Sequence, residues 1–184
     1  MSETLYVRPL VADVCVQRFD CGNGLINTSL ACDAYYKHLA KKASTTEVAL
    51  KTDTGFQTVA YCSLSVIMFG VVEEDEEEIS YPAVHIDIIG VDRDSQGKGY
   101  GTQLLRYIIQ RIGNFSQFAC IRYVLLDAIK DKYTWYEERG FLALNVEDLE
   151  NDEPTIQMFM DLRDDNLLQS YFEEKGGEKD DTGN

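Results

Sequence analysis

The sequence predicts a single α/β domain, and three observations carry that expectation. Runs of β type and of helical type alternate along the chain. Six residues rich in glycine, Gln96-Gly97-Lys98-Gly99-Tyr100-Gly101, stand between a β-type run at 85–91 and a helical run at 102–112. The length, 184 residues, is that of one domain with ample material for a core, and no internal repeat interrupts it.

Each element has its own warrant. Leu5 to Leu10 reads as a first strand, with Pro9 suited to its end. Residues 27–42 read as a helix capped by Asn27 or Thr28, with Leu30, Ala34 and Leu39 on an apolar stripe and Lys37, Lys41 and Lys42 outward. Two strands, 47–51 and 58–72, pair around Asp53-Thr54-Gly55. The run Glu73 to Glu78 holds six acids and reads as a solvated loop. The run His85 to Val91 is the central strand. In the helix after it, Leu104, Leu105, Ile108 and Ile109 face inward. Tyr123 to Asp127 reads as a buried strand. Tyr133 to Arg139 is a short helix closed by Gly140, Phe141 begins another strand, and Thr155 to Leu162 is the last. The domain is drawn over residues 1–165, with an acidic tail at 166–184 that is disordered beyond Lys175.

Charge and cysteine content exclude several classes. The formal net charge is −15, but the run at 73–78 contributes −6 and the segment from Asp164 contributes −5, which leaves −4 for the body. Cys15, Cys21, Cys32, Cys62 and Cys120 make an odd count without a Cys-x-x-Cys pair, and there are only two histidines, His38 and His85. That pattern fits reduced thiols in a cytoplasmic protein, not a disulfide frame or a metal site. Cys21 is expected as a packing residue. The N-terminus shows no signal pattern. The longest near-apolar run, Val66 to Val72, is far shorter than a membrane span.

The glycine-rich turn is the chemical feature. Glycines at a strand-to-helix turn let a ligand approach the backbone, and the first helical turn offers free N–H groups and the positive end of the dipole. A phosphate-bearing cofactor is therefore expected at residues 96–102. The turn fits neither the Walker pattern nor Gly-x-Gly-x-x-Gly. It does fit Gln/Arg-x-x-Gly-x-Gly/Ala, as Gln96, Gly99 and Gly101, and so resembles the coenzyme A pyrophosphate loop of the GCN5-related N-acetyltransferases (GNATs). Ile88-Ile89-Gly90-Val91-Asp92 resembles the strand before that loop. Tyr136-Glu137-Glu138-Arg139-Gly140-Phe141 resembles the family's Tyr-x-x-x-Gly-Phe element.

Other stretches are similar to one branch of that superfamily. These are Phe19-Asp20-Cys21-Gly22 with Ile26-Asn27 and Leu30, then Ala60-Tyr61-Cys62-Ser63-Leu64-Ser65, and Tyr81-Pro82. The branch contains toxins of toxin–antitoxin pairs that acetylate the amino group of aminoacyl-tRNA. The resemblance runs from about residue 5 to 162. The chain departs from it at Ser29, where an aromatic is usual, at Lys132 and Tyr133, and in its acidity.

The resemblance implies a GNAT-like domain with a central mixed twisted sheet flanked by helices, its strands splayed where acetyl-CoA (coenzyme A) lies. The implied cofactor contacts are Ile89, Gly90 and Val91 on one strand and Asp127 on the other. Gln96, Gly97, Lys98, Gly99, Tyr100, Gly101 and Thr102 supply those of the loop. Lys98 meets a phosphate or solvent, and Gln96 bonds the loop or a phosphate. Asp127 contacts cofactor amides or holds a loop.

Acetyl transfer to an amine has three demands of its own. The amine must be neutral. The carbonyl oxygen needs a donor, for which the backbone N–H of Ile89 or Val91 is placed. The departing thiolate needs a proton. Tyr136 stands where the family places that acid, and a phenol, with a pKa of about 10, stays protonated until used. Tyr133 and Trp135 are expected as packing. His85 and Asp87 share one strand face and are placed to relay a proton through water, and the general base is left unassigned.

The expected function is acetyl transfer to a small or cationic amine, drawn by the acidic loop. The alternatives are an aminoacyl-tRNA acetylating toxin, with Arg18, Lys37, Lys41 and Lys42 as a small basic face, and a non-catalytic acyl-CoA- or partner-binding protein. The partners in view are the amine substrate, tRNA, an antitoxin protein and a second copy in a homodimer, with no membrane.

Overall fold

A computed structural model describes residues 5–11, 18–53, 55–72 and 78–173. Its frame is an open seven-stranded mixed sheet in the order β1-β2-β3-β4-β5-β7-β6. The strands are β1 (Leu5–Pro9), β2 (Ser44–Thr52), β3 (Gly55–Val72), β4 (Glu78–Val91), β5 (Tyr123–Ile129), β6 (Leu142–Ala143) and β7 (Thr155–Asp161). Only the β4–β5 pair is parallel among the described strands. The crossover between those two strands is helix α3 (Tyr100–Ala119), as parallel pairing requires.

Helices cover both faces of the sheet. On one, α3 buries Leu104, Leu105, Ile108, Ile109 and Ile112 against Val59, Val124, Leu126 and Met158. The opposite face takes an amino-terminal helical segment, which buries Leu30 and Ala34 with Phe19 and Tyr61. Ala60 and Tyr61, adjacent on β3, point to different cores because side chains alternate across a strand.

That segment differs from the expected helix at 27–42. It comprises α1 (Gly24–Thr28), a π-helical stretch at Ser29–Ala34 and α2 (Tyr35–Leu39). Asn23 is its cap, accepting from the backbone N–H groups of Leu25 and Ile26, and Asn27 is free for another task. The π stretch adds a residue per turn and rotates later positions off the stripe. Leu39 therefore stands 58% exposed, while Leu30 and Ala34 are buried. The chain leaves the helix through Lys41 at φ +56.

Two further elements outrun their expected bounds. α3 continues seven residues beyond Ile112 to Ala119, where Cys120 at φ +52 caps it. β4 begins at Glu78, so its first half and the distal half of β3 form a hairpin arm, pairing as far as Val72↔Glu78. The rest of the expected acidic loop, 73–77, lies outside the described residues, as does the expected disordered tail from residue 174.

Residues 166–172, assigned above to the tail, instead belong to α5 (Asp165–Phe172). Leu168 and Phe172 pack on Gly113 of α3, and Tyr171 is buried. The acids that mark this stretch as tail in sequence hide its apolar spacing: Leu167, Leu168, Tyr171 and Phe172 recur at helical intervals. Short helix α4 (Tyr133–Glu137) precedes β6.

Candidate active site at the fork between two strands

β4 and β5 pair from Ala83↔Tyr123 to Ile86↔Leu126 and then separate. β5 goes on pairing with β7 to Ile129, and β4 with β3 to Val91. The parting leaves a fork whose inner edges have no strand partner. A register slip stands beside it: Ser63 of β3 pairs with Ile88 while Leu64 pairs with Ile86. Asp87 is the extra residue. Such a bulge bends its strand, and here it bends β4 where the sheet opens.

A cleft of about 1040 Å3 fills the fork. Asp87 to Val91 line one side, and Leu126, Asp127 and Ile129 the other. The glycine-rich turn lies at one end with Gln96, Gly97, Gly99, Tyr100, Gly101 and Thr102 in the wall. Lys98 is exposed and does not line the cleft. Gly99, at φ +79, is the cap residue of α3, and Gly97 has φ +76. A Cβ at either would meet no protein atom within 4 Å. The glycines thus leave open space in front of first-turn N–H groups that have no partner within the helix.

A second segment, Cys21 to Ile26, closes over the cleft, and its polar bonds had no reading in sequence. Asp20 accepts from the Gly22 N–H at 2.9 Å and from the Asn27 amide at 2.8 Å. Those two bonds hold its carboxyl below the usual range. Asn27 in turn accepts from the Cys21 N–H at 2.9 Å. Buried Asp92 accepts from the N–H groups of Asp20 at 3.0 Å and Asp94 at 3.2 Å, tying this segment to the glycine-rich turn. Gln96 Nε2 completes the tie, donating to the carbonyls of Cys21 and Val91 at 3.0 Å each. Gly90 makes room for the segment: a Cβ there would lie 2.9 Å from Ile26 Cγ2 and 3.3 Å from Phe19 Cζ. Cys21 is half-buried among the apolar residues of this packing.

Tyr136 comes from α4 and is 8% exposed, with its ring 5.8 Å from Phe141 and 4.8 Å from Trp135. It is at once a core aromatic and part of the cleft wall. Burial pushes its hydroxyl, like the Cys62 thiol near it, well above the ordinary pKa. Trp135, expected as packing alone, also lines the cleft. The Arg139 guanidinium stacks on it at 4.1 Å and donates to Thr102 Oγ1 at 3.1 Å, joining α4 to the start of α3. Asp131 lines the wall as well, without a sequence signal to mark it, and so does Lys132, noted in the sequence only as a departure from the family pattern. Tyr133 donates to Glu137 at 2.9 Å and packs on the core edge.

His85 and Asp87 do share one face, and Asp127 joins them. His85 Nδ1 is 2.9 Å from Asp87 Oδ1, and Nε2 is 3.5 Å from Asp127 Oδ2. The basic residues near the amino-terminal helices, Arg18, Lys37, Lys41 and Lys42, are exposed.

The arrangement can seat an extended ligand with a phosphate at the glycine turn and an amide-bearing arm along the strand edges. Among known families, the acetyltransferase (GNAT) family matches residues 30–141. No curated protein matches the chain in sequence. Solved structures do resemble it. AtaT complexed with acetyl-methionyl-tRNAfMet is 21% identical, with a TM-score of 0.75 over 90% of this chain and 99% of that one. A tyrosine-to-phenylalanine mutant of the AtaT toxin, bound to the C-terminus of the antitoxin AtaR and acetyl-CoA, is 23% identical, with a TM-score of 0.74 over 92% and 99%. A tyrosine-to-phenylalanine mutant of KacT is 19% identical, with a TM-score of 0.74 over 90% and 98%.

Proposed function

The chain belongs to the acetyltransferase (GNAT) family, and from that premise we propose that it moves an acetyl group from acetyl-CoA to the α-amine of an aminoacyl-tRNA. The observation that carries the donor is the fork: two unpaired strand edges run from a glycine turn with open space at Gly97 and Gly99 to a buried tyrosine. A pyrophosphate suits the first-turn N–H groups, and amide groups suit the strand edges as an added strand would. Bound acetyl-CoA supplies an acetyl group activated as a thioester. Ile89 or Val91 offers a backbone N–H to stabilise charge on a carbonyl oxygen. Tyr136 lies in the cleft wall, and burial keeps its hydroxyl protonated, so it can stand as a hydrogen-bond donor to the departing sulfur.

The acceptor ranking is reversed from the sequence-based expectation. The likeness to AtaT holding acetyl-methionyl-tRNAfMet, across nine-tenths of the chain, favours aminoacyl-tRNA over a small amine. On this reading an antitoxin protein is a partner too, as AtaR is for AtaT. The charge favours a second reading, since Asp87 and Asp127 in the cleft and a net charge of −15 attract a small cationic amine.

Expression in a bacterial host separates the two. Growth arrest that Tyr136→Phe relieves, with N-acetylated aminoacyl-tRNA found by mass spectrometry, is expected. Normal growth, together with acetylation of spermidine by the purified chain, would replace the first reading by the second. Absence of acetyl transfer to either would remove both.

A further inference from the structure

The cleft wall holds three carboxylates, Asp87, Asp127 and Asp131, and one basic side chain, Lys132. Lys132 is exposed, and its ammonium makes no hydrogen bond or ion pair among the described residues. The other cations nearby are engaged elsewhere. Arg93 pairs with Asp20 at 3.5 Å, and Lys130 donates to Asn151 Oδ1 at 2.7 Å. Arg139 stacks on Trp135 and donates to Thr102 Oγ1. Lys98 is exposed, and none of these four lines the cleft. An anion that enters meets like charge at the carboxylates and a free cation only at Lys132.

The fork fixes where that cation stands. β4 runs out of the fork into the glycine-rich turn, and β5 runs out of it through Ile129 into residues 130–132, which precede α4. The turn and Lys132 therefore belong to opposite walls of the opening. The second wall is fastened beside the first. Arg139 of the α4 end bonds Thr102 at 3.1 Å, and a Cβ at Gly101 would lie 3.8 Å from Trp135 Cζ2.

We propose that Lys132 is a specificity residue for the donor: its ammonium binds the 3′-phosphate on the ribose of coenzyme A, across the opening from the pyrophosphate. The proposal rests on the acetyl-CoA reading but not on the choice of acceptor. Coenzyme A carries its pyrophosphate and its 3′-phosphate on one ribose, so a ligand held at the turn by the first presents the second a few bonds away. The 3′-phosphate is a monoester with about −1.5 to −2 charges at neutral pH. A lysine is a compact charge on a flexible four-carbon stem, suited to a phosphate that no backbone cradle holds. Lys132 stands where the chain departs from the family pattern, so the preference it confers is a property of this chain.

Calorimetry on the full chain tests this with coenzyme A and with dephospho-coenzyme A, which lacks only the 3′-phosphate. The wild type should bind coenzyme A about tenfold more tightly, the effect of one charge-assisted hydrogen bond. The gap should narrow as salt rises. Lys132→Met should weaken coenzyme A by about tenfold and leave dephospho-coenzyme A as it was. Lys132→Arg keeps the charge and should restore the preference. The side chain is exposed and bonds nothing, so both variants should melt with the wild type. Equal affinity of the wild type for the two forms would overturn the proposal and leave the acetyl-CoA site in place. So would an unchanged preference in Lys132→Met. If that variant keeps the preference but binds methionyl-tRNA more weakly, the lysine serves an RNA phosphate and the proposal falls. If the wild type binds neither form, the cofactor reading itself fails, and the proposal with it.

Discussion

Gln96 Nε2 donates to the carbonyl oxygen of Cys21 across 3.0 Å, although the two residues are 75 positions apart. The bond latches the segment that lines the cleft to the glycine-rich turn. Gln96→Ala removes it and the companion bond to Val91. Each is exposed, so the loss is on the order of 1 kcal/mol of local stability. Hydrogen exchange should quicken at the amides of residues 20–27 while the β-sheet keeps its protection. Unchanged exchange there would show that the Asp20–Asn27–Asp92 bonds hold the segment without Gln96.

Gly99→Asp places a side chain and a negative charge in the open space before α3. It should abolish acetyl-CoA binding in calorimetry. Gly99→Ala controls for backbone strain, because at φ +79 an alanine pays about 1 kcal/mol without adding charge. Equal thermal stability of the two variants, with binding lost only in the aspartate, is the expected pattern. Retained affinity in Gly99→Asp would remove the phosphate assignment.

Tyr136→Phe removes one oxygen and keeps a ring that packs on Phe141 and Trp135. We expect kcat to fall by about 10²-fold or more with acetyl-CoA affinity and melting temperature nearly unchanged. Full activity in the phenylalanine variant would leave this residue as packing alone.

Gly90→Val tests how closely the amino-terminal segment sits on β4. The Cβ alone would fall 2.9 Å from Ile26 Cγ2 and 3.4 Å from Tyr61 Cε1. Overpacking of this kind costs about 1–3 kcal/mol, and the urea midpoint should drop accordingly. An unmoved midpoint would mean that α1 lifts off the sheet freely.

The raised pKa of His85 gives a stability signature with a definite sign. A group whose pKa is higher folded than unfolded contributes fully below the unfolded value of about 6.5 and loses that contribution as pH rises through the folded one. The wild type should therefore exceed His85→Gln most in urea midpoint below pH ~6.5, and the gap should narrow on the alkaline side. A gap that widens with pH would contradict the contact with Asp87.

Much of the site was legible before any fold was known, because its chemistry is local. A glycine turn between a strand and a helix must bring backbone N–H groups to one point, whatever surrounds it. Gln96, Gly99 and Gly101 therefore stood out in the sequence, as did Tyr136 through a short pattern closed by Gly140, and all four line the cleft. The inward stripe of α3 was legible for the same reason, since helical period is a property of neighbours. Lys98 was read as meeting a phosphate or solvent, and its side chain stands exposed outside the cleft wall.

Tertiary structure decided what depends on residues far apart in the chain. The fork opens where β4 carries one extra residue, Asp87, against β3, a register set between two strands and invisible in either. The exposure of Leu39 follows from the π stretch at Ser29–Ala34, a winding that the apolar spacing does not reveal. The joining of Asp20, Asn27, Asp92 and Gln96, and of His85 with Asp127, needed the chain to close loops of tens of residues. By itself the sequence determined the α/β class and singled out the glycine-rich turn and Tyr136, which the fold brings to one cleft. The fold determined which side chains meet around them, since a contact's energy depends on distance in space while sequence reports only order along the chain.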